Sequence, residues 1–88
     1  MSALPQPQDE DTRRPLVYST RWCSDCRLAK RVFAEHGVEY DEIDIDEHPD
    51  AVAEVLRINH GMRSVPTIIF PDGTVLVEPS RRELAEKL

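Results

Sequence analysis

Two cysteines separated by two residues, Cys23-Ser24-Asp25-Cys26, stand where a short apolar run gives way to a stretch of helical periodicity. No other feature constrains the chain as much. The run before them is Leu16-Val17-Tyr18, and the helix-like segment after them is Arg27 to His36. These are both of the chain's cysteines, too few for a structural zinc site, which takes four ligands. His36, His48 and His60 are scattered without the spacing of paired metal ligands, and each reads as a surface or helix-end residue. A dithiol at a strand-to-helix junction reads instead as a redox motif. The N-terminus carries no signal-peptide h-region, so the expected compartment is the reducing cytoplasm, where a purely structural disulfide is disfavoured.

At 88 residues there is room for one small domain. Such a chain buries only ~60–65% of its unfolded surface, so its core is modest. Hydrophobic residues are 40% and charged residues 32% of the chain, an ordinary balance for a globular domain. No stretch is apolar over enough length to span a bilayer, and no membrane partner is expected. Acidic residues number 17 against 11 basic, a net charge of -6, which argues against nucleic acid or an anionic membrane surface. A small anionic substrate stays compatible, because local basic groups can override the global sign.

Residues 1–14 hold Asp9, Glu10 and Asp11 with Pro5, Gln6, Pro7 and Gln8 and little that is apolar. They bury too little to offset the cost of ordering and read as a flexible acidic tail before a domain over 15–88. Pro15 opens a strand through Ser19, and Thr20-Arg21-Trp22 forms a loop. The following helix places Leu28, Ala29, Val32 and Phe33 on one face and Lys30, Arg31 and Glu35 on others, with Gly37 suited to its C′ position. A second strand is expected over Val38 to Asp44. Its alternation slips, since Val38 and Tyr40 fall on one phase and Ile43 and Ile45 on the other. Pro49 suits the first turn of a helix to about Ile58, buried through Val52, Val55 and Leu56 and ended by Asn59-His60-Gly61.

Thr67 to Phe70, the turn Pro71-Asp72-Gly73-Thr74, and Val75 to Val77 read as an antiparallel hairpin. Ser80, with Glu83 three residues on, matches a capping box that starts a last helix with Leu84, Ala85 and Leu88 inward. There are no internal repeats. The order βαβαββα predicts an α/β domain in which two strands run parallel through a crossover helix and a hairpin completes the sheet.

Thiol–disulfide exchange needs one thiolate that reaches its target and a second thiol that displaces the product. The start of a helix, with its unpaired N–H groups, favours a thiolate placed there. Cys23 is expected at that start with an accessible sulfur, and Cys26 about one turn on and more shielded. Cys23 is therefore the candidate nucleophile and Cys26 the candidate resolving thiol. Arg21 and Arg27 would stabilise negative charge on Cys23, and Asp25 would oppose it. Asp25 is equally explained as a first-turn acid complementing the helix dipole. Trp22 is read as a flat contact surface for a partner, the alternative being that it packs on the loop after Met62.

Trp22-Cys23-Ser24-Asp25-Cys26 after a short strand, with Ser64-Val65-Pro66-Thr67 before a hairpin, resembles the glutaredoxin branch of the thioredoxin-fold proteins. Phe70-Pro71-Asp72-Gly73-Thr74-Val75-Leu76-Val77-Glu78-Pro79-Ser80 is similar to the pattern F-x-D-G-x-x-L-x-x-P-S of the mycoredoxins and related bacterial glutaredoxin-like proteins. The resemblance spans about Leu16 to Leu88. It implies a thioredoxin-like (glutaredoxin) fold, a four-stranded mixed sheet with helices on both faces. It also implies a cis Pro66 beside the dithiol, leaving the Val65 backbone to pair with a bound peptide or thiol. Ser24-Asp25 departs from the Pro-Tyr of typical dithiol glutaredoxins. The Gly-Gly and acidic pair that grip the far end of glutathione are replaced by Glu78-Pro79-Ser80. The Trp-Ser-Gly-Phe segment of redoxins that serve ribonucleotide reductase is absent as well.

The function implied is a thiol–disulfide oxidoreductase with no tightly bound cofactor, using a low-molecular-weight thiol (mycothiol, bacillithiol or glutathione) as co-substrate. Its expected partners are S-thiolated or disulfide-bonded proteins and a flavoprotein disulfide reductase acting directly or through the small thiol. The Val65 backbone, Thr67, Pro79, Ser80 and the N-terminus of the last helix are expected to hold a carboxylate of that thiol. Arg21 and Arg63 are candidate charge partners, though either also reads as a solvated surface residue. Two alternatives stay open: an iron–sulfur cluster carrier bridged by Cys23 in a dimer, and an electron donor reduced directly by a thioredoxin-reductase-type flavoprotein.

Overall fold

β1 (Leu16–Ser19) is the strand around which the sheet assembles. In this computed structural model, which describes residues 14–88, it pairs parallel with β2 (Asp41–Asp44) and antiparallel with β3 (Thr67–Ile69). β4 (Val75–Val77) pairs antiparallel with β3, so the sheet order is β2-β1-β3-β4. A parallel neighbour cannot be reached by a tight turn, and α1 (Ser24–Glu35) supplies the crossover. α2 (Pro49–Ile58) and α3 (Arg81–Lys87) complete the predicted order.

Alternation along β1 divides the core into two clusters. Val17 packs with Ala29, Val32, Phe33, Ile68, Phe70 and Leu84, on the face covered by α1 and α3. Leu16 and Tyr18 point the other way, to Ile45, Val55, Ile43 and Ile69, under α2. Helices therefore cover both faces, as expected. The phase slip in the second strand has the same origin. Val38 and Tyr40 serve the first cluster, where Tyr40 stacks on Phe33 at 4.8 Å between ring centroids, and Ile43 and Ile45 serve the second.

One element start differs from the reading of the sequence. The second strand begins at Asp41 rather than Val38, because the Val38 N–H is already used: it donates to Phe33 O at 3.0 Å while Gly37 N–H donates to Ala34 O at 3.1 Å. Together these bonds form a Schellman cap on α1, with Gly37 at φ +66°. α1 begins at Ser24 with Cys23 as its N-cap, in line with the expectation of Cys23 at the helix start, and extends the periodic stretch from Arg27 by three residues. The last helix starts as expected, with Ser80 and Glu83 closing both bonds of a capping box. The expected flexible tail over 1–14 lies outside the described residues except for Arg14, whose guanidinium meets Glu39 at 3.0 Å. Among the described residues no helix is long and apolar enough to cross a membrane.

Gly37 offers a clean test of the cap. A Cβ there would meet no atom within 4 Å, so the effect of Gly37→Ala comes from backbone conformation alone. The substitution is expected to lower unfolding free energy by about 1 kcal/mol, and Gly37→Asn by less, since Asn tolerates the left-handed region. Urea denaturation of both variants measures this, and an unchanged midpoint for Gly37→Ala would contradict the cap.

Candidate active site

The first turn of α1 is built on a sulfur. Cys23 is the N-cap residue, in extended backbone conformation (φ -116°, ψ 112°), and its side chain accepts the Cys26 N–H at 3.1 Å. Serine or aspartate usually fills that role, and Ser24 or Asp25 would be the ordinary candidates in this stretch. Because the thiol takes the position instead, the helix starts at Ser24 and brings Cys26 to its third residue. Asp25 falls in the first turn, where a carboxylate complements the dipole. The Cys23 sulfur is thus held at the helix's positive end, with a backbone donor aimed at it.

The two thiols differ sharply in surroundings. Cys23 is partly exposed, whereas Cys26 is 1% exposed, and both are free thiols. Burial pushes the Cys26 thiol up to about 12, and its hydrogen bond to the Cys23 sulfur adds to that. The Thr20 backbone and the charge of Lys30 oppose the shift without cancelling it. A thiol whose ionisation is raised on folding stabilises the fold fully below its ordinary range and loses that contribution as pH rises towards the folded value. The reduced protein is therefore expected to lose stability between pH 9.0 and about 12 more steeply than Cys26→Ser. Denaturant midpoints across that window test this; parallel decline of the two proteins would contradict it.

Several residues singled out in the sequence converge on the dithiol. The Val65–Pro66 peptide bond is cis, Pro66 is fully buried, and the Val65 carbonyl accepts from the Cys23 thiol at 3.7 Å, a long contact even for sulfur. Trp22 stands 81% exposed beside Cys23 and so does not pack on the loop after Met62. The Pro66 carbonyl accepts the Glu78 N–H at 2.9 Å, which ties the loop before Pro79 to the cis bond.

Others are committed elsewhere. Thr67 is fully buried, its hydroxyl donating to Ser64 O at 2.7 Å and accepting from Asn59 Nδ2 at 2.8 Å. That hydroxyl is used inside the fold rather than in a groove. Ser80 is engaged with Glu83 in both directions, at 3.1 and 2.8 Å, which also puts a carboxylate at the start of α3. Pro79 is buried. The Arg63 guanidinium is paired with Asp46 at 2.7 Å. Arg21 and Trp22 line a depression of about 200 Å³ whose other walls are Asp44, Asp46 and Glu47. The surface beside the nucleophile is thus richer in carboxylates than the reading of Arg21 and Arg63 as anion partners requires.

The sequence reading passed over one group, Lys30, which it placed off the apolar face of the helix. Lys30 lies one turn after Cys26 on α1, only a third exposed, with its ammonium 2.5 Å from Glu42 of β2. Glu42 also accepts from the Ser19 hydroxyl at 2.6 Å, and Ser19 is 1% exposed. The i, i+4 spacing of Cys26 and Lys30 was the available signal. It was masked because a lysine beside apolar helix positions ordinarily points to water.

Comparison with known proteins agrees with this geometry. The family model described as Glutaredoxin matches residues 16–76. A Mycobacterium tuberculosis protein whose name assigns it to the glutaredoxins is 39% identical over 72 residues, 82% of this chain and 86% of that one. Mycoredoxin 1 of Corynebacterium glutamicum is 38% identical over 72 residues, 82% of this chain and 89% of that one. A thioredoxin-like protein of known crystal structure superposes with a TM-score of 0.74 at 25% identity, over 85% of this chain and all of that one. The sheet order, the N-capping thiol, the cis proline beside it and these similarities lead to one conclusion: the chain belongs to the glutaredoxin family and is a thiol–disulfide oxidoreductase.

Proposed function

We propose that this oxidoreductase reduces mixed disulfides between proteins and a low-molecular-weight thiol, and protein disulfides, in the cytoplasm. The observation that carries the reading is the stacking of a partly exposed Cys23 over a buried Cys26 within one helical turn. Cys23 as thiolate attacks the small thiol's sulfur; a Cys23–small-thiol disulfide forms, and the protein thiolate leaves and takes up a proton. A second small thiol then attacks that sulfur and departs as the symmetrical disulfide, returning Cys23 to its reduced form. In the dithiol branch Cys26 attacks Cys23 instead, and the chain is left as the Cys23–Cys26 disulfide, to be reduced by two molecules of small thiol, which leave as their symmetrical disulfide, or by two electrons from a flavoprotein reductase. Trp22 and the Val65 backbone flank the incoming disulfide.

The charge beside Trp22 bears on which thiol is used. Asp44 and Glu47 face Arg21 across the depression, while Asp46 and Arg63 neutralise each other, which leaves carboxylate in excess. Such a surface repels carboxylates and suits hydroxyl-rich groups, which hydrogen-bond to acidic side chains. Mycothiol, whose cysteine is acetylated and carried on an amino-sugar–inositol unit, has no free carboxylate; glutathione and bacillithiol do. Mycothiol is therefore the favoured co-substrate. The test is turnover of a peptide S-thiolated with each compound in the presence of the matching thiol. A kcat/KM about tenfold higher for mycothiol is expected, the size of one or two screened carboxylate contacts. Equal or faster turnover with glutathione would overturn this assignment of the thiol.

A further inference from the structure

Lys30, Glu42 and Ser19 form a partly exposed charged group where α1 meets the edge strand β2, and the exchange chemistry above does not use it. Val17 of β1 is registered with Glu42 of β2, and Ser19 shares the Val17 face by alternation, so both polar side chains point at α1. From α1 they are met by Lys30, 2.5 Å from Glu42, one turn beyond the buried Cys26. Burial works against charge on Glu42, yet the bonds from Lys30 and Ser19 hold its carboxyl below its ordinary range; the Glu42 bond holds Lys30 above its own. The pairing with Glu42 thus favours the charged ammonium and holds it against β2. The groups acting on Cys26 are Cys23, Lys30 and the Thr20 backbone, and those acting on Lys30 are Glu42, Tyr40 and Cys26.

We propose that Lys30, anchored by Glu42 and Ser19, is a positioning residue for the resolving step, its charge stabilising the Cys26 thiolate as it forms or leaves. The inference rests on Cys26 acting as the resolving thiol. In that step the Cys26 S–H bond breaks, Cys26 sulfur bonds to Cys23 sulfur, and the bond from Cys23 to the small thiol breaks. The departing thiolate takes the electron pair and the proton lost by Cys26 balances it, directly or through water. In reverse, Cys26 is the leaving thiolate, and a poorly acidic thiol leaves slowly unless charge nearby favours it.

The experiment uses 5,5′-dithiobis(2-nitrobenzoate) on the reduced full chain. Cys23 releases a first coloured thiolate on attack, and Cys26 releases the second on closing the disulfide. Lys30→Met is expected to leave the first release unchanged and slow the second about tenfold, equivalent to one pKa unit at Cys26. Lys30→Arg should restore the second release, and Glu42→Gln, which leaves the ammonium without its counter-charge, should not slow it. A role confined to stapling α1 onto β2 would instead make Lys30→Met and Glu42→Gln alike. If Lys30→Met does not fold, Lys30→Gln, which keeps a donor towards Glu42 without the charge, replaces it. A second release slowed less than about twofold without Lys30, or slowed equally by Glu42→Gln, overturns the inference while the dithiol reading stands. A wild-type chain that releases only the first thiolate overturns both.

Discussion

Cys23→Ser is expected to abolish turnover of every disulfide substrate, lowering kcat/KM by about a thousandfold or more. A serine hydroxyl does not ionise near neutral pH, and no other group replaces the sulfur held at the start of α1. Cys26→Ser should behave differently. Its side chain is 1% exposed and the proposed monothiol cycle does not use it, so attack by Cys23 on a mixed disulfide and regeneration by a second small thiol should both survive. Under the proposed mechanism Cys26 releases the trapped partner, so reduction of protein disulfides should fall sharply and leave a stable Cys23 adduct visible by mass spectrometry. The pair of variants separates two mechanisms. A Cys26→Ser protein inactive with all small thiols would remove the monothiol branch, and an active Cys23→Ser protein would remove Cys23 as nucleophile.

The second large effect is on stability. Phe33 is fully buried between α1 and the sheet, packed with Val17, Val32, Ile68 and Leu84 and stacked on Tyr40. Phe33→Ala deletes the ring and leaves a void that fixed strand and helix backbones cannot close, a loss of about 3–5 kcal/mol. A domain of this size holds only about 4–13 kcal/mol in total. The variant is therefore expected to retain a fraction of wild-type stability, read from urea unfolding at constant m-value. Phe70 makes the useful contrast. It is 6% exposed near the end of the hairpin and under the Lys87 ammonium, 5.2 Å from its ring, so Phe70→Ala should cost less. Equal losses at the two positions would mean that the first cluster is not centred on Phe33.

Much of this fold is legible in residue order because each element carries a local reason to form. Pro49 at the first helical position, Gly37 at a C′ position, Ser80 with Glu83, and Pro71-Asp72-Gly73-Thr74 all act within a few residues and need no partner from elsewhere. Cysteine is an uncommon N-cap, yet the place of the dithiol already put Cys23 at the start of α1. The exception has an equally local cause once the structure is known. The start of β2 was hidden because the cap on α1 consumed the Val38 donor.

The site divides along the same line. By itself the sequence determined that two thiols share one helical turn, that a Val-Pro-Thr segment precedes a hairpin, and hence which chemistry the chain can carry. The tertiary structure set how far the two thiols differ, with Cys23 partly exposed and Cys26 1% exposed, in the order expected from the sequence. It also decided that Thr67 and Ser80 spend their hydroxyls within the fold, that Arg63 is paired with Asp46, and that Lys30 turns in to Glu42 and Ser19. Charges and hydroxyls act through distances of a few ångströms between residues far apart in the chain, and no spacing along one strand or helix records those distances.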